Sequence, residues 1–197
     1  MEELALDDQA MLRSLAVALR DELRGLNAAR RDVVVACIGT DRSTGDALGP
    51  LVGEALLRLG LPPSMVIGNL RDPLHALNLD RVMTVAHSKA APLIVAVDAA
   101  LGPVDQIGAI RVRRGGLRPG EAVGKTLPHV GDLSVTAIVN CSDAGLDARV
   151  LQSTRLFVVH ELSRLVAAGL WWALGEVRRE TNGNPTRARA ALVGAAC

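Results

Sequence analysis

The stretch Cys37-Ile-Gly-Thr-Asp-Arg-Ser-Thr-Gly-Asp-Ala-Leu-Gly-Pro50 constrains this chain more than any other. It follows the β-branched apolar run 32–38, which reads as a buried strand, and it leads into 51–59, where apolar residues recur at helical spacing. The stretch is therefore a strand-to-helix loop. Open α/β sheets build their sites at such loops, outside the carboxyl ends of the strands. Its glycines let the backbone bend and approach a ligand, and Asp41, Arg42 and Asp46 sit among them. A loop that only turned the chain would not need those charges.

Phosphate does not fit this loop. It has neither Gly-Lys-Ser/Thr nor Gly-x-Gly-x-x-Gly, and Asp46 stands where the helix begins, in the electropositive position a phosphate would use. On structural grounds alone Asp46 reads as a helix N-cap, with Pro50 accommodated in the first turn. A functional role for it requires a second acid from elsewhere in the chain.

The run 92–98 supplies one: a second buried strand, ending in Asp98. If the two strands are neighbours, Asp98 shares a crevice with Asp41 and Asp46. A carboxylate at the end of a buried strand is costly unless it is solvated, paired or bound to a metal. His75, after a short strand at 65–69, and His129, after a Gly/Pro-rich loop at 115–128, are the histidines that could join it, each with a purely structural alternative. Asp41 and Arg42 have the alternative of a simple loop ion pair. Two close aspartates can share a proton, one acting as base on water and the other as acid. The same carboxylates with an imidazole can instead hold Zn²⁺ or Ni²⁺. Sequence leaves both open. Ser43, Ser134 and Cys37 lack an adjacent base, and His160-Glu161 lacks the second histidine of a zinc helix.

The rest of the chain reads as alternating helices and strands. An amphipathic helix spans about 8–26, with Leu12, Leu15, Leu19 and Leu23 on one stripe. A helix follows at 77–88, an edge strand at 107–113, a strand at 129–140 (with Asp132 as a possible helix cap), and a long helical pattern over 146–179, where Gly169 could introduce a bend. This alternation predicts a three-layer α/β sandwich, a mainly parallel twisted sheet with helices on both faces. With 197 residues and 49% hydrophobic content, one domain over 1–197 is expected, with 1–30 as a helical extension and 181–197 as a frayed tail. A net charge of +1, no tyrosine and a single phenylalanine argue against a nucleic-acid surface. No run of about 18 apolar residues reads as a membrane span, and three cysteines without metal or redox spacing suit a reducing cytoplasm.

The fourteen-residue block, the segment Asp-Pro-Leu-His-Ala-Leu-Asn-Leu at 72–79, Val-Gly-Asp-Leu-Ser-Val-Thr-Ala-Ile-Val-Asn at 130–140 and Leu-Gln-Ser-Thr-Arg-Leu at 151–156 closely resemble YyaC-type sporulation proteins. That family is similar to the spore germination protease and to the hydrogenase maturation endopeptidases, whose fold is the layered α/β architecture already expected. The resemblance implies an endopeptidase acting on a protein substrate in the cytoplasm, in the forespore, with Asp46 and Asp98 catalytic. Thr40, Asp41, Arg42 and Gly45 would shape the loop. If a metal takes part, Asp46 and Asp98 with His75 or His129 would face it. The alternative is a sporulation binding protein that keeps the crevice without turnover.

Overall fold

Val33–Cys37 forms β1, buried along nearly its whole length. The computed structural model describes residues 2–87, 92–119, 129–143 and 145–181. Helix α1 (Glu2–Gly25) precedes β1, and α2 (Leu48–Arg58), β2 (Val66–Ile67), α3 (Leu79–His87) and β3 (Leu93–Gly102) follow it. The chain continues through β4 (Ile110–Arg114), β5 (Leu133–Cys141), α4 (Asp147–Gln152) and α5 (Leu156–Thr181). The sheet order is β2-β1-β3-β5-β4, parallel except for β4, which runs antiparallel to β5 at the edge. The protein is thus a mixed α/β structure with a five-stranded sheet flanked by helices.

The alternation of side chains along each strand divides the core in two. Val33, Val35, Cys37, Val95, Val97, Leu133, Val135 and Ala137 join the larger cluster under α1, α2 and α5. Ala36, Ile38, Ile94 and Ala96 face the other way and cluster with Leu74, Leu79 and Met83 from α3 and the segment before it. The expected leucine stripe of α1 is this contact: Leu12, Leu15, Leu19 and Leu23 are all buried. Burying a leucine contributes about 1.5–3 kcal/mol, so α1 is part of the core as well as an extension of the chain. Chain direction fixes where the two halves meet. From β1 the chain moves outward to β2, then crosses back to place β3 on the other side of β1. The carboxyl ends of β1 and β3 therefore flank a topological switch point.

Several boundaries differ from the sequence expectation. The single helical pattern over 146–179 is two helices, interrupted at 153–155. There the Thr154 hydroxyl donates to the Val150 carbonyl (2.8 Å) and Ser153 Oγ to that of Arg149 (3.0 Å), satisfying the end of α4 locally. Helix α5 continues through Gly169, which faces Leu15 and Leu19 of α1 at close range. The segment before β5 holds no helix cap. Asp132 Oδ2 instead accepts the Ile94 N–H (2.9 Å), with Arg31 3.6 Å away, tying the amino ends of β3 and β5 together. By length and composition α5 could cross a membrane, but half of its apolar window is buried inside the protein, against α1 and α2. Most of the Gly/Pro-rich loop (120–128) and the tail (182–197) lie outside the described residues.

Candidate active site at the switch point

The loop after β1 closes on itself through its backbone. Thr40 N–H donates to the Asp46 carbonyl (3.1 Å), and Arg42 N–H to the Thr40 hydroxyl (3.3 Å). Gly39 has φ +142°, and a Cβ there would stand 2.0 Å from the Asp46 carbonyl oxygen. Only glycine permits that approach. Gly45 is used differently: a Cβ would meet Leu151 at 2.8 Å and the Thr154 hydroxyl at 3.0 Å, so its absence lets α4 close over the loop. Thr40 and Gly45 thus shape the loop through hydrogen bonding and packing. Asp41 and Arg42 are exposed on the crevice wall, with no ion pair between them.

Asp46 is not the N-cap of α2. It lies in a short 3₁₀ turn, Gly45–Ala47; Ala47 occupies the cap position, and no side chain caps the helix. The half-buried Asp46 carboxylate is directed to the cavities at the switch point. Asp98 differs from its expected place as well. It does not end β3, which runs on to Gly102; Val97 pairs with Cys37, the last residue of β1, so Asp98 is the first residue of β3 beyond that neighbour. It is 8% exposed, and its Oδ1 accepts the N–H of Ala99 (2.9 Å). Burial pushes its carboxyl well above the usual carboxylate range, and the Asp46 charge pushes in the same direction. The Ala99 N–H opposes them without prevailing.

Two cavities meet at these aspartates. One, of about 670 Å³, lies over the loop and is bounded by the 70–77 segment and α4. The other, of about 480 Å³, is a groove floored by β3, β5 and β4. Asp46, Asp98 and Leu151 line both. Leu77 (87% exposed) and Leu70 (38%) give the first cavity an apolar rim.

The two candidate histidines separate. His75 lines the crevice, in a turn held by its own N–H to Asn78 Oδ1 (2.8 Å) and by Asn78 Nδ2 to the Pro73 carbonyl (2.9 Å). Its Nδ1 accepts the Leu77 N–H (3.3 Å), so a neutral ring carries its proton on Nε2. His129 lines neither cavity. It precedes β5, beside the bridge between Leu117 and Val130, and there Nε2 accepts from Arg118 Nε (2.7 Å) and Nδ1 stands 3.3 Å from the Gly116 carbonyl. His129 is thus held by Arg118, which lines the groove together with Asp46 and Asp98. Among the described residues, no three His, Cys, Asp or Glu side chains gather closely enough to hold a metal ion. Asp46, Asp98 and His75 are three ligands of the right chemistry for zinc, but they are not gathered around one point. Burial pushes the Cys37 thiol up and rules it out as a nucleophile at neutral pH.

The sequence reading overlooked the groove wall. Arg111 and Arg113 of β4, with Ser134 and Thr136 of β5, face it together. The signal was the alternation of arginine with apolar residues in β4, which reads equally well as a solvated edge.

The fold and this geometry define an α/β protein with a carboxylate pair at the switch point of its sheet. The chain belongs to the family described as protein of unknown function (DUF1256), whose model matches residues 3–169. It is 43% identical over 164 residues to the uncharacterized protein YyaC of Bacillus subtilis (strain 168), covering 83% of this chain and 78% of that one. Among solved structures it is similar to the NiFe hydrogenase maturation protease HycI from Thermococcus kodakarensis KOD1. That match has 22% identity and a TM-score of 0.48, over 78% of this chain and 98% of the other.

Proposed function

We propose that this protein is an endopeptidase that hydrolyses a peptide bond of a protein substrate through the Asp46–Asp98 pair. The observation that carries this reading is the unequal setting of the two carboxylates around one opening: Asp98 buried with its affinity for protons raised, Asp46 half-buried and adding its charge. Paired acids held apart in this way divide acid and base roles. Asp46 accepts the proton of the attacking water. Asp98, protonated, donates to the amide nitrogen as the tetrahedral intermediate collapses, and the chain is left as a carboxylate and an amine. The open cavities on either side leave room for substrate on both sides of the bond, and the exposed Leu70 and Leu77 suit a protein surface. A setting in sporulation, in the forespore cytoplasm, is supported by the resemblance of the motif blocks. No step is assigned to a metal, because among the described residues no three ligating side chains gather around one point.

The test is cleavage of a proteome-derived peptide library, with new termini mapped by mass spectrometry. Wild-type protein is expected to generate a defined set of termini, and Asp98→Asn to lower their rate by at least about 10²-fold. Absence of new termini from about pH 5 to about pH 8, the range over which carboxylate pairs act, would favour a binding protein that keeps the crevice.

A further inference from the structure

The groove beside the aspartates has a polarity of its own. Strand register places Asp98 opposite Thr136, and Thr136 opposite Arg111; one step toward the amino end, Ala96, Ser134 and Arg113 form a second rank. Neighbouring strands are about 4.8 Å apart, so the Arg111 backbone stands about 9.6 Å across the sheet from that of Asp98. On this face α3 covers the β1–β3 half, with Leu79 and Met83 over Ala36, Ile94 and Ala96. The β5–β4 half faces the groove.

Arg111, Arg113 and Arg118 line that half. Arg111 is steadied by Gln106, which accepts from its Nη2, and Arg118 by His129. Among the described residues, none of the three is paired with a carboxylate. The acids of the groove stand away from β4, Asp98 level with Arg111 but two strands across the sheet. Asp46 and Asp98 are the switch-point pair, and Asp147 Oδ1 is taken up by Ser142 Oγ and the Asp143 N–H. Positive charge thus runs along β4 and negative charge collects away from it.

We infer that this groove binds an extended acidic peptide segment, with carboxylates at alternate residues seated on Arg111 and Arg113 and the chain continuing toward Asp46 and Asp98. The spacing follows from geometry. Arg111 and Arg113 are two residues apart on one face of a strand, about 6.7 Å, which is the repeat of alternate side chains in an extended peptide. Guanidinium groups take carboxylates in bidentate fashion, and Thr136 adds a hydroxyl to the floor beside Ser134, whose own hydroxyl donates to the Arg113 carbonyl (3.1 Å). A nucleic acid fits less well. Its phosphates would meet three aspartates across the groove from β4, and none of the residues lining it is aromatic. The inference rests on the peptidase reading only in what happens to the chain at the aspartates.

The test reads binding, which needs no turnover. A fluorescein-labelled peptide carrying Glu-x-Glu is titrated by anisotropy against wild type and Arg111→Gln/Arg113→Gln, with Gln-x-Gln and Glu-Glu peptides as controls. The expected result is a preference for Glu-x-Glu over Gln-x-Gln of at least about 10-fold, weakened by salt and lost in the double variant. The Arg111→Lys/Arg113→Lys protein should recover part of it, since charge returns without the bidentate fork. Equal binding of all three peptides, or a preference that survives in the double variant with circular dichroism unchanged, overturns the inference. So does displacement of the peptide by a single-stranded oligonucleotide at lower concentration. Binding without cleavage refutes the peptidase reading and leaves this one standing. Cleavage of the library with no acidic preference does the reverse.

Discussion

Cys37 and Val97 form the last rung shared by β1 and β3, and everything at the candidate site follows from that pairing. It leaves Asp98 just past the end of its neighbour, still 8% exposed, yet open to the loop that carries Asp46. A carboxyl held there favours its protonated form, because both burial and the Asp46 charge oppose ionisation.

That preference makes stability depend on pH with a definite sign. Asp98 binds its proton more tightly in the folded chain than in the unfolded one, so its favourable contribution is complete below the unfolded pKa, about 3.9. It is lost as pH rises through the raised folded value. Asp98→Asn keeps the shape and the acceptor for the Ala99 N–H while removing the ionisation. Its melting temperature should match wild type at low pH and exceed it increasingly as pH rises. A constant difference across the titration would show that ionisation of Asp98 does not cost the fold.

Asp46 acts on Asp98 through charge. Asp46→Asn removes one of the two influences that raise the Asp98 carboxyl, so that carboxyl should titrate at lower pH in the variant, as followed by carbon-13 NMR of the side chain. Burial remains, so the value should stay above the ordinary range. Because Asp46 does not cap α2, the substitution should also avoid the loss of about 1 kcal/mol that removing an N-cap brings.

Gly39→Ala should damage the loop disproportionately for a single methyl group. The new Cβ would stand 2.0 Å from the Asp46 carbonyl oxygen, at a φ of +142° that side chains rarely adopt. Chemical denaturation should report a loss of roughly 2 kcal/mol or more, combining backbone strain and overpacking. A change within about 0.5 kcal/mol, as at an ordinary surface position, would contradict the close approach.

Thr154→Val tests the break between α4 and α5. Valine keeps the volume but loses the hydroxyl that donates to Val150 and accepts from Asn140 Nδ2 (3.2 Å). Losing both hydrogen bonds should cost about 1–2 kcal/mol in urea unfolding, although Ser153 Oγ still reaches the Val150 carbonyl (3.3 Å). Thr154→Ser, which retains the hydroxyl, should recover much of that loss.

The layered α/β class, the two central strands and the loop between β1 and α2 were legible in the sequence because their information is local. A β-branched run, a glycine-rich turn and an apolar helix stripe each follow from the preferences of neighbouring residues. Even the meeting of Asp46 and Asp98 followed from two buried strands that each lead toward an acid, given the rule about carboxyl ends. Tertiary structure decided the rest. Whether Asp46 caps a helix depended on where α2 began, one turn of 3₁₀ helix later than its residues suggest. His75 lines the crevice, whereas His129 is taken up by Arg118 beside the pairing of Val130 with Leu117, a contact between segments that sequence does not bring together. The arginines of β4 face Ser134 and Thr136 only through antiparallel register, a relation between segments about twenty residues apart. Side-chain chemistry is written residue by residue, but which side chains share a cavity is set by strand order and register, and those are fixed by packing of the whole core.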